Sequence, residues 1–195
     1  TMLRTSSFTV AKTNKVYVFG AKGCGKTSLI RDCLFGNRIC FRPLKAHEET
    51  IEDIYSAVVE YKCENKCAKE RVNFFDTSGL WLNFNSDYIK HYISYADGII
   101  IVYAINDRES FQIAEQIKKA IDRLKEKKEI PIICFGNKSD KYRDRVVKYD
   151  DAQNWAHKER IKLYEVAMSD RKTIMEAVVH LTSAMNPPQS KFTMY

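Results

Sequence analysis

The sequence predicts an α/β domain with helices on both faces of a mostly parallel sheet, and three observations carry the prediction. Near-continuous apolar runs at residues 98–105 and 130–135 have the composition of strands covered on both faces. Strand and helix patterns alternate along the chain with no internal repeat and no Pro/Ser linker, as in a doubly wound domain of about six strands. A Gly-rich turn separates the first strand from the first helix, at the strand ends where such sheets hold ligands.

Each element has its own signal. Residues 15–19 alternate and run straight into Gly20, and 27–35 have helical spacing. Residues 54–63 and 71–75 read as antiparallel strands of an edge hairpin, joined by the polar turn 64–70. Ile113, Ile117, Ile121 and Leu124 recur every three or four residues, which gives an amphipathic helix over 110–128 with Lys119, Arg123 and Lys127 as its solvent stripe. Asp150 and Asp151 can cap a helix through Glu159. Residues 161–166 form a last strand, and Ile174, Val178, Leu181 and Met185 mark a final helix that Pro187 and Pro188 stop. One domain is expected over 15–186, with 1–14 an N-terminal extension or cloning remnant and 187–195 a short tail.

Of the 195 residues, 45% are hydrophobic, enough to fill a core, which excludes a low-complexity or disordered chain. No run approaches the roughly 18–20 apolar residues of a membrane span, and the N-terminus has no signal-peptide pattern. The six cysteines are scattered. No second Cys or His pair completes a zinc pattern around Cys63 and Cys67, so all read as reduced thiols. The net charge of +7 is local: residues 118–148 hold eleven Lys and Arg against five Asp and Glu. A solvated helix face, docking of an acidic protein segment and nucleic acid all compete to explain that window. The lack of interleaved aromatics or an RNA motif leaves nucleic acid last, and no nucleic-acid partner is expected.

Residues Gly20, Ala21, Lys22, Gly23, Cys24, Gly25, Lys26 and Thr27 satisfy G-x-x-x-x-G-K-[S/T] between a strand and a helix, with Ser28 following. The glycines let backbone N–H groups curl around phosphates, Lys26 reaches the β and γ phosphates, and Thr27 offers its hydroxyl to Mg²⁺. Asn137-Lys138-Ser139-Asp140 follows a core strand, and Asp140 would accept two hydrogen bonds from guanine N1 and N2. Adenine lacks that donor pair, and a buried carboxylate left unpaired is costly, so GTP or GDP is favoured over ATP. Asp76 closes the third strand, where it could hold Mg²⁺ through water while the Gly79 N–H meets the γ-phosphate. Thr50 is a second candidate for Mg²⁺ and γ-phosphate, on a nucleotide-sensitive loop.

With these motifs in order, the chain resembles the Ras-like small GTPases from Val16 to about Met185. The resemblance implies a six-stranded Ras-like P-loop GTPase domain. Three positions depart from the family. Ala167-Met168-Ser169 stands where relatives carry Ser-Ala-Lys, which keeps a backbone contact to the guanine oxygen and loses the serine support. Lys22 replaces a P-loop glycine and adds bulk where an arginine finger would enter. Leu80 replaces the glutamine that orients the attacking water, and leucine cannot hydrogen-bond water. Hydrolysis is therefore expected to be weak or absent, with no intact catalytic residue.

The paired departures, with Thr50-Ile51-Glu52-Asp53-Ile54-Tyr55 (an effector-type segment), Lys90-His91-Tyr92, Ala96-Asp97-Gly98, Asp170-Arg171-Lys172-Thr173 and Pro188-Gln189-Ser190-Lys191, are similar to the κB-Ras branch of that family, the NF-κB-inhibitor-interacting Ras-like proteins. Members of that branch carry leucine at both departed positions, whereas here one is Lys22. The resemblance implies cytoplasmic binding of IκBβ, its protection from degradation, restraint of NF-κB signalling and association with the RalGAP complex. An active GTPase switch with another effector is the alternative. The tail has no prenylation cysteine, so no membrane anchor is expected. Leu80, Trp81 and Leu82 put apolar groups in a surface loop, either as a partner surface or folded back on the neighbouring helix.

Overall fold

The computed structural model describes residues 13–34, 52–63, 66–124 and 129–187. In chain order the elements are β1 (Thr13–Gly20), α1 (Lys26–Ser28) running on as a π-helical stretch (Leu29–Leu34), β2 (Glu52–Cys63), β3 (Lys66–Thr77), α2 (Ser86–Ile93), β4 (Gly98–Ala104), α3 (Arg108–Leu124), β5 (Ile132–Asn137), a 3₁₀ turn (Ser139–Asp144), α4 (Tyr149–Lys158), β6 (Lys162–Glu165) and α5 (Arg171–Met185). The strands form one sheet in the order β2-β3-β1-β4-β5-β6. Only β2 and β3 run antiparallel; the other neighbours are parallel. The predicted fold class, with its single antiparallel edge hairpin, is the observed one.

Strand β4 shows why the sheet is doubly covered. Every residue from Gly98 to Ala104 is buried, so neither face can tolerate a polar side chain, and the sequence is accordingly apolar throughout. On one face α3 packs against β1 and β4, with α2 beside it; on the other, α5 packs against β2 and the π-helical stretch and also touches β4, β5 and β6. Phe111 joins Tyr103 and Trp155 edge to face at 5.0 and 5.3 Å, fastening α3 and α4 to the same face of β4.

Several boundaries move from those the sequence suggested. The hairpin turn is shorter than 64–70: Lys66 to Glu70 are strand residues paired with Cys63 to Val59. Opposite charges set directly across the ladder, as in the 2.6 Å Lys69–Glu60 pair, let a polar stretch continue as strand. Helix α3 begins at Arg108, earlier than Ser110, and is described to Leu124; residues 125–128, Lys127 among them, lie outside the described residues. Lys148 holds the cap position of α4 without a side-chain cap, while Asp150 and Asp151 sit in the first turn, where their charge favours the helix N-terminus. Helix α5 starts at Arg171, with Asp170 accepting from the Thr173 N–H at 3.2 Å. Within the charged window, Lys119 and Arg123 are exposed as expected, but Lys118 is only 6% exposed. Its ammonium is paired with Asp122 at 2.5 Å and Glu159 at 3.4 Å, which compensates its burial.

Among the described residues no helix is long and apolar enough to cross a membrane. Segments 1–12, 35–51 and 188–195 lie outside the described residues, and with them most of the expected extension and tail, the Pro188-Gln189-Ser190-Lys191 stretch, Thr50 and Ile51.

Candidate functional site

The candidate phosphate loop forms where β1 stops. Gly20 ends the strand and Lys26 opens the helix, so residues 21–25 must turn sharply at the C-terminal edge of the sheet. Gly25 takes φ +99°, and a Cβ there would lie 2.2 Å from Asn137 Nδ2. Only glycine satisfies both the left-handed backbone and the close approach. Lys26 is 6% exposed, and its ammonium donates to the carbonyls of Gly20 at 3.2 Å and Ala21 at 3.0 Å. These bonds hold the cation against the curve of its own loop. Ala21 and Cys24 are buried beneath it, and burial pushes the Cys24 thiol pKa up, leaving it a packing residue rather than a reactive thiol.

Asp76 supplies the acidic side of the same site. It is fully buried near the end of β3, where its Oδ2 accepts from the Thr27 hydroxyl. Its Oδ1 has no hydrogen-bond partner among the described residues. Burial raises its pKa above the ordinary carboxylate value; the Thr27 hydrogen bond and the Lys26 charge pull it back, and Asp53 pushes it up again. An orphaned oxygen on a buried carboxylate, beside a threonine hydroxyl, fits a small hard cation that takes oxygen ligands. Among the described residues no group of three His, Cys, Asp or Glu side chains could hold a metal by itself. A cation here would therefore depend on Thr27, Asp76 and oxygens brought by a ligand.

The N-K-S-D motif divides into two tasks. Asn137, 2% exposed, donates from Nδ2 to the Cys24 carbonyl at 2.9 Å, and Lys138 donates to the Gly23 carbonyl at 2.8 Å. Both side chains thus brace the phosphate loop from β5. Asp140 stands apart in the 3₁₀ turn and is exposed, so its carboxylate is open to a ligand and only a bound base would bury it. Ala167 is buried and Met168 half-buried in the loop after β6. The Ser139 N–H donates to Val166 O at 3.1 Å and the Val166 N–H to Gly136 O at 2.9 Å, so the segments after β5 and β6 are joined through backbone. Arg145 adds a fork to Glu165, both N–H···O distances 2.7 Å. Sequence reasoning missed that pair, since nothing local marks one arginine among many as the half-buried partner of a distant glutamate.

The segment after β3 is drawn onto the phosphate loop. The Leu80 N–H donates to Gly20 O at 3.0 Å and the Lys22 N–H to Leu80 O at 3.4 Å. A Cβ on Gly79 would lie 2.5 Å from Lys22 Cα, so the two backbones touch. Leu80 is 5% exposed, which corrects its assignment to an apolar surface: the bridge to Ala21 turns its side chain into the core. Trp81 and Leu82 remain exposed, at 58% and 40%. The Trp81 ring carries the Lys22 ammonium 5.3 Å from its centroid. Ser78 and Tyr88 share a 2.8 Å hydrogen bond between their hydroxyls, tying this segment to α2. Of the effector-type segment, Glu52, Asp53 and Ile54 are exposed on β2 and Tyr55 is half-buried. Ser28 is half-buried in α1.

A cavity of about 740 Å³ lies at the opposite end of the sheet, lined by Lys118, Glu159, Arg160 and His180 among others, and contains none of the motif residues.

Comparison with known proteins agrees with this arrangement. The family described as "Ras family" matches residues 15–187. "NF-kappa-B inhibitor-interacting Ras-like protein 1" of Mus musculus is 41% identical over 177 residues, 91% of this chain and 88% of that protein. "NF-kappa-B inhibitor-interacting Ras-like protein 2" of Homo sapiens is 41% identical over 182 residues, 93% of this chain and 91% of that protein. The corresponding protein 2 of Gallus gallus is 40% identical over the same length.

Proposed function

This chain belongs to the Ras family, and on that premise we propose that it is a guanine-nucleotide-binding regulator of the κB-Ras type, with slow hydrolysis, acting in the cytoplasm on an NF-κB inhibitor protein. The observation that carries the reading is the pairing of an assembled phosphate and cation site with an apolar residue where the water-orienting group belongs. Lys26, Thr27 and Asp76 converge at the loop, whereas Leu80 is buried and offers no polar atom from its side chain. The domain is taken as 15–186.

In this reading Gly20 to Thr27 wrap the phosphates with backbone N–H groups, and Lys26 neutralises their charge. Thr27 and Asp76 hold Mg²⁺, which when bound screens the phosphate charge; Thr50 joins them from the preceding loop. Asp140 selects guanine, the Ala167–Met168 backbone faces its oxygen, and Asn137 and Lys138 keep the loop in shape. At position 80 leucine offers no polar atom to align an attacking water. Residues 50–55 form the effector segment and Trp81 with Leu82 the remaining apolar contact surface. Names of the relatives support an NF-κB inhibitor protein as partner; IκBβ in particular, and association with RalGAP subunits, follow from the κB-Ras resemblance alone.

Denaturing the purified protein and separating what it releases tests the binding claim, and timing GTP turnover tests the rest. GDP or GTP should be released in about stoichiometric amount, with turnover near background. Lys22→Gly combined with Leu80→Gln should raise turnover by up to about 10²-fold, the scale on which positioning acts. Rapid turnover by the unmodified chain would overturn the slow-hydrolysis reading; release of adenine nucleotide or none would overturn the binding claim.

A further inference from the structure

We propose that Arg145 is a positioning residue for the base: through Glu165 it fixes the turn that carries Asp140, and so sets how strongly guanine is preferred over a base that lacks its 2-amino group. The proposal rests on the nucleotide-binding function above and adds to it the residue that grades base selection.

Three observations carry it. First, packing does not hold the turn. No residue of the 3₁₀ stretch Ser139–Asp144 is buried, and the chain enters it at Lys138 with φ +64°, a left-handed backbone that a lysine keeps only where its surroundings impose it. Second, the turn is pinned at both ends to two consecutive residues. At its start the Ser139 N–H donates to Val166 O at 3.1 Å. Just past its end Arg145 forks onto Glu165 with both bonds at 2.7 Å, and the same guanidinium donates to Val147 O at 3.1 Å. Ala167 and Met168, whose backbone would face the guanine oxygen, follow directly in the chain. Asp140 and that backbone therefore hang from the same two residues, 165 and 166. Third, Glu165 is itself seated. Its side chain is 11% exposed, and it is the register partner of Gly136 across β5 and β6. A Cβ on Gly136 would lie 3.0 Å from Glu165 Cγ and 2.6 Å from the Tyr103 hydroxyl. The missing side chain lets Tyr103 and Glu165 close over the end of β5, immediately before Asn137.

The two pins differ in what they fix. A charge-assisted fork sets both distance and direction, whereas the single neutral bond from Ser139 leaves the turn free to pivot about it. Two hydrogen bonds from guanine to one carboxylate need that carboxylate in one orientation, so a pivot loses the bond to the 2-amino group. The phosphate side is spared. Asn137 and Lys138, which brace the phosphate loop, stand before the Ser139 pin and do not depend on the fork.

Inosine diphosphate keeps the ring N–H and the oxygen of GDP and lacks the 2-amino group, so the ratio of the two affinities reads the orientation of Asp140. Both are measured by displacement of a fluorescent GDP analogue, with thermal melting as the control for fold. Arg145→Met should lower the GDP-to-inosine-diphosphate ratio about tenfold, the scale of one hydrogen bond to a charged group. In a chain already carrying Asp140→Ala, Arg145→Met should leave GDP affinity within about twofold, because the two residues act through one contact. Glu165→Gln keeps the shape of the side chain without its charge and should lower the ratio about threefold, which keeps the test open if Arg145→Met does not fold. Equal loss of affinity for both nucleotides, an unchanged ratio in either variant, or a full tenfold loss of GDP affinity in the Asp140→Ala background overturns this proposal alone. Binding of neither nucleotide by the unmodified chain overturns it together with the function on which it rests.

Discussion

Strands β4 and β2 belong to the same sheet, yet β4 is buried from Gly98 to Ala104 while β2 exposes Glu52, Asp53, Ile54, Ser56, Val58 and Glu60. β4 has a neighbour on each edge and helices on both faces, so its residues are fixed by packing alone. Among the described residues β2 is the sheet's edge, paired with β3 and covered on one face by α5. Interiors pack densely enough that a buried strand cannot shift without cost, whereas an edge strand is held mainly by its ladder. The difference assigns the two halves different work. The half around β4, β5 and Phe111 is a packed seat for Asn137 and Lys138, and the half around β2, β3 and Trp81 presents exposed side chains to solvent.

The comparison breaks most readily at the packed half. Phe111 is 2% exposed between Tyr103 and Trp155, and Phe111→Ala should lower unfolding free energy by about 3–5 kcal/mol, read from denaturant midpoints. A loss below 1 kcal/mol would mean that this cluster is not a single packed unit. Next in size is the junction between the halves. Asp76→Asn keeps an acceptor for Thr27 but removes the buried charge with its orphaned oxygen. Thermal stability without nucleotide should not fall, while Mg²⁺ should lose about 10–100-fold of its effect on nucleotide release, as when an outer-shell partner is lost. Undiminished Mg²⁺ dependence would place the cation elsewhere. The smallest effect belongs to the edge: Val58 is 59% exposed, and Val58→Thr, which keeps the β-branch, should move stability by no more than about 0.5 kcal/mol. A larger loss would show that residues outside the described segments cover this strand.

Legibility followed the same division. The buried strands were visible because a strand covered twice has no polar positions, and the phosphate loop because its glycines, lysine and threonine are contiguous. Residues 66–70 read as turn from their charge until Glu60 is set opposite Lys69. Lys118 was counted within a basic window although its ammonium is buried against Asp122 and Glu159. For Leu80 a partner surface and a folded-back position stay equally open in the sequence, because an apolar residue in a loop gives no sign of which way it faces.

The sequence by itself determined an α/β fold with one edge hairpin and the chain order of its strands and helices, because each depends on local backbone geometry and on periodicity carried by neighbouring residues. Only the tertiary structure decided that Asn137 and Lys138 brace the phosphate loop, that Asp76 keeps an unpartnered oxygen, that Arg145 forks onto Glu165, and that Lys22 lies on Trp81. These contacts join residues far apart in the chain. Which of many similar charges and rings meet is set by how the sheet stacks them, and composition and spacing are silent on that choice.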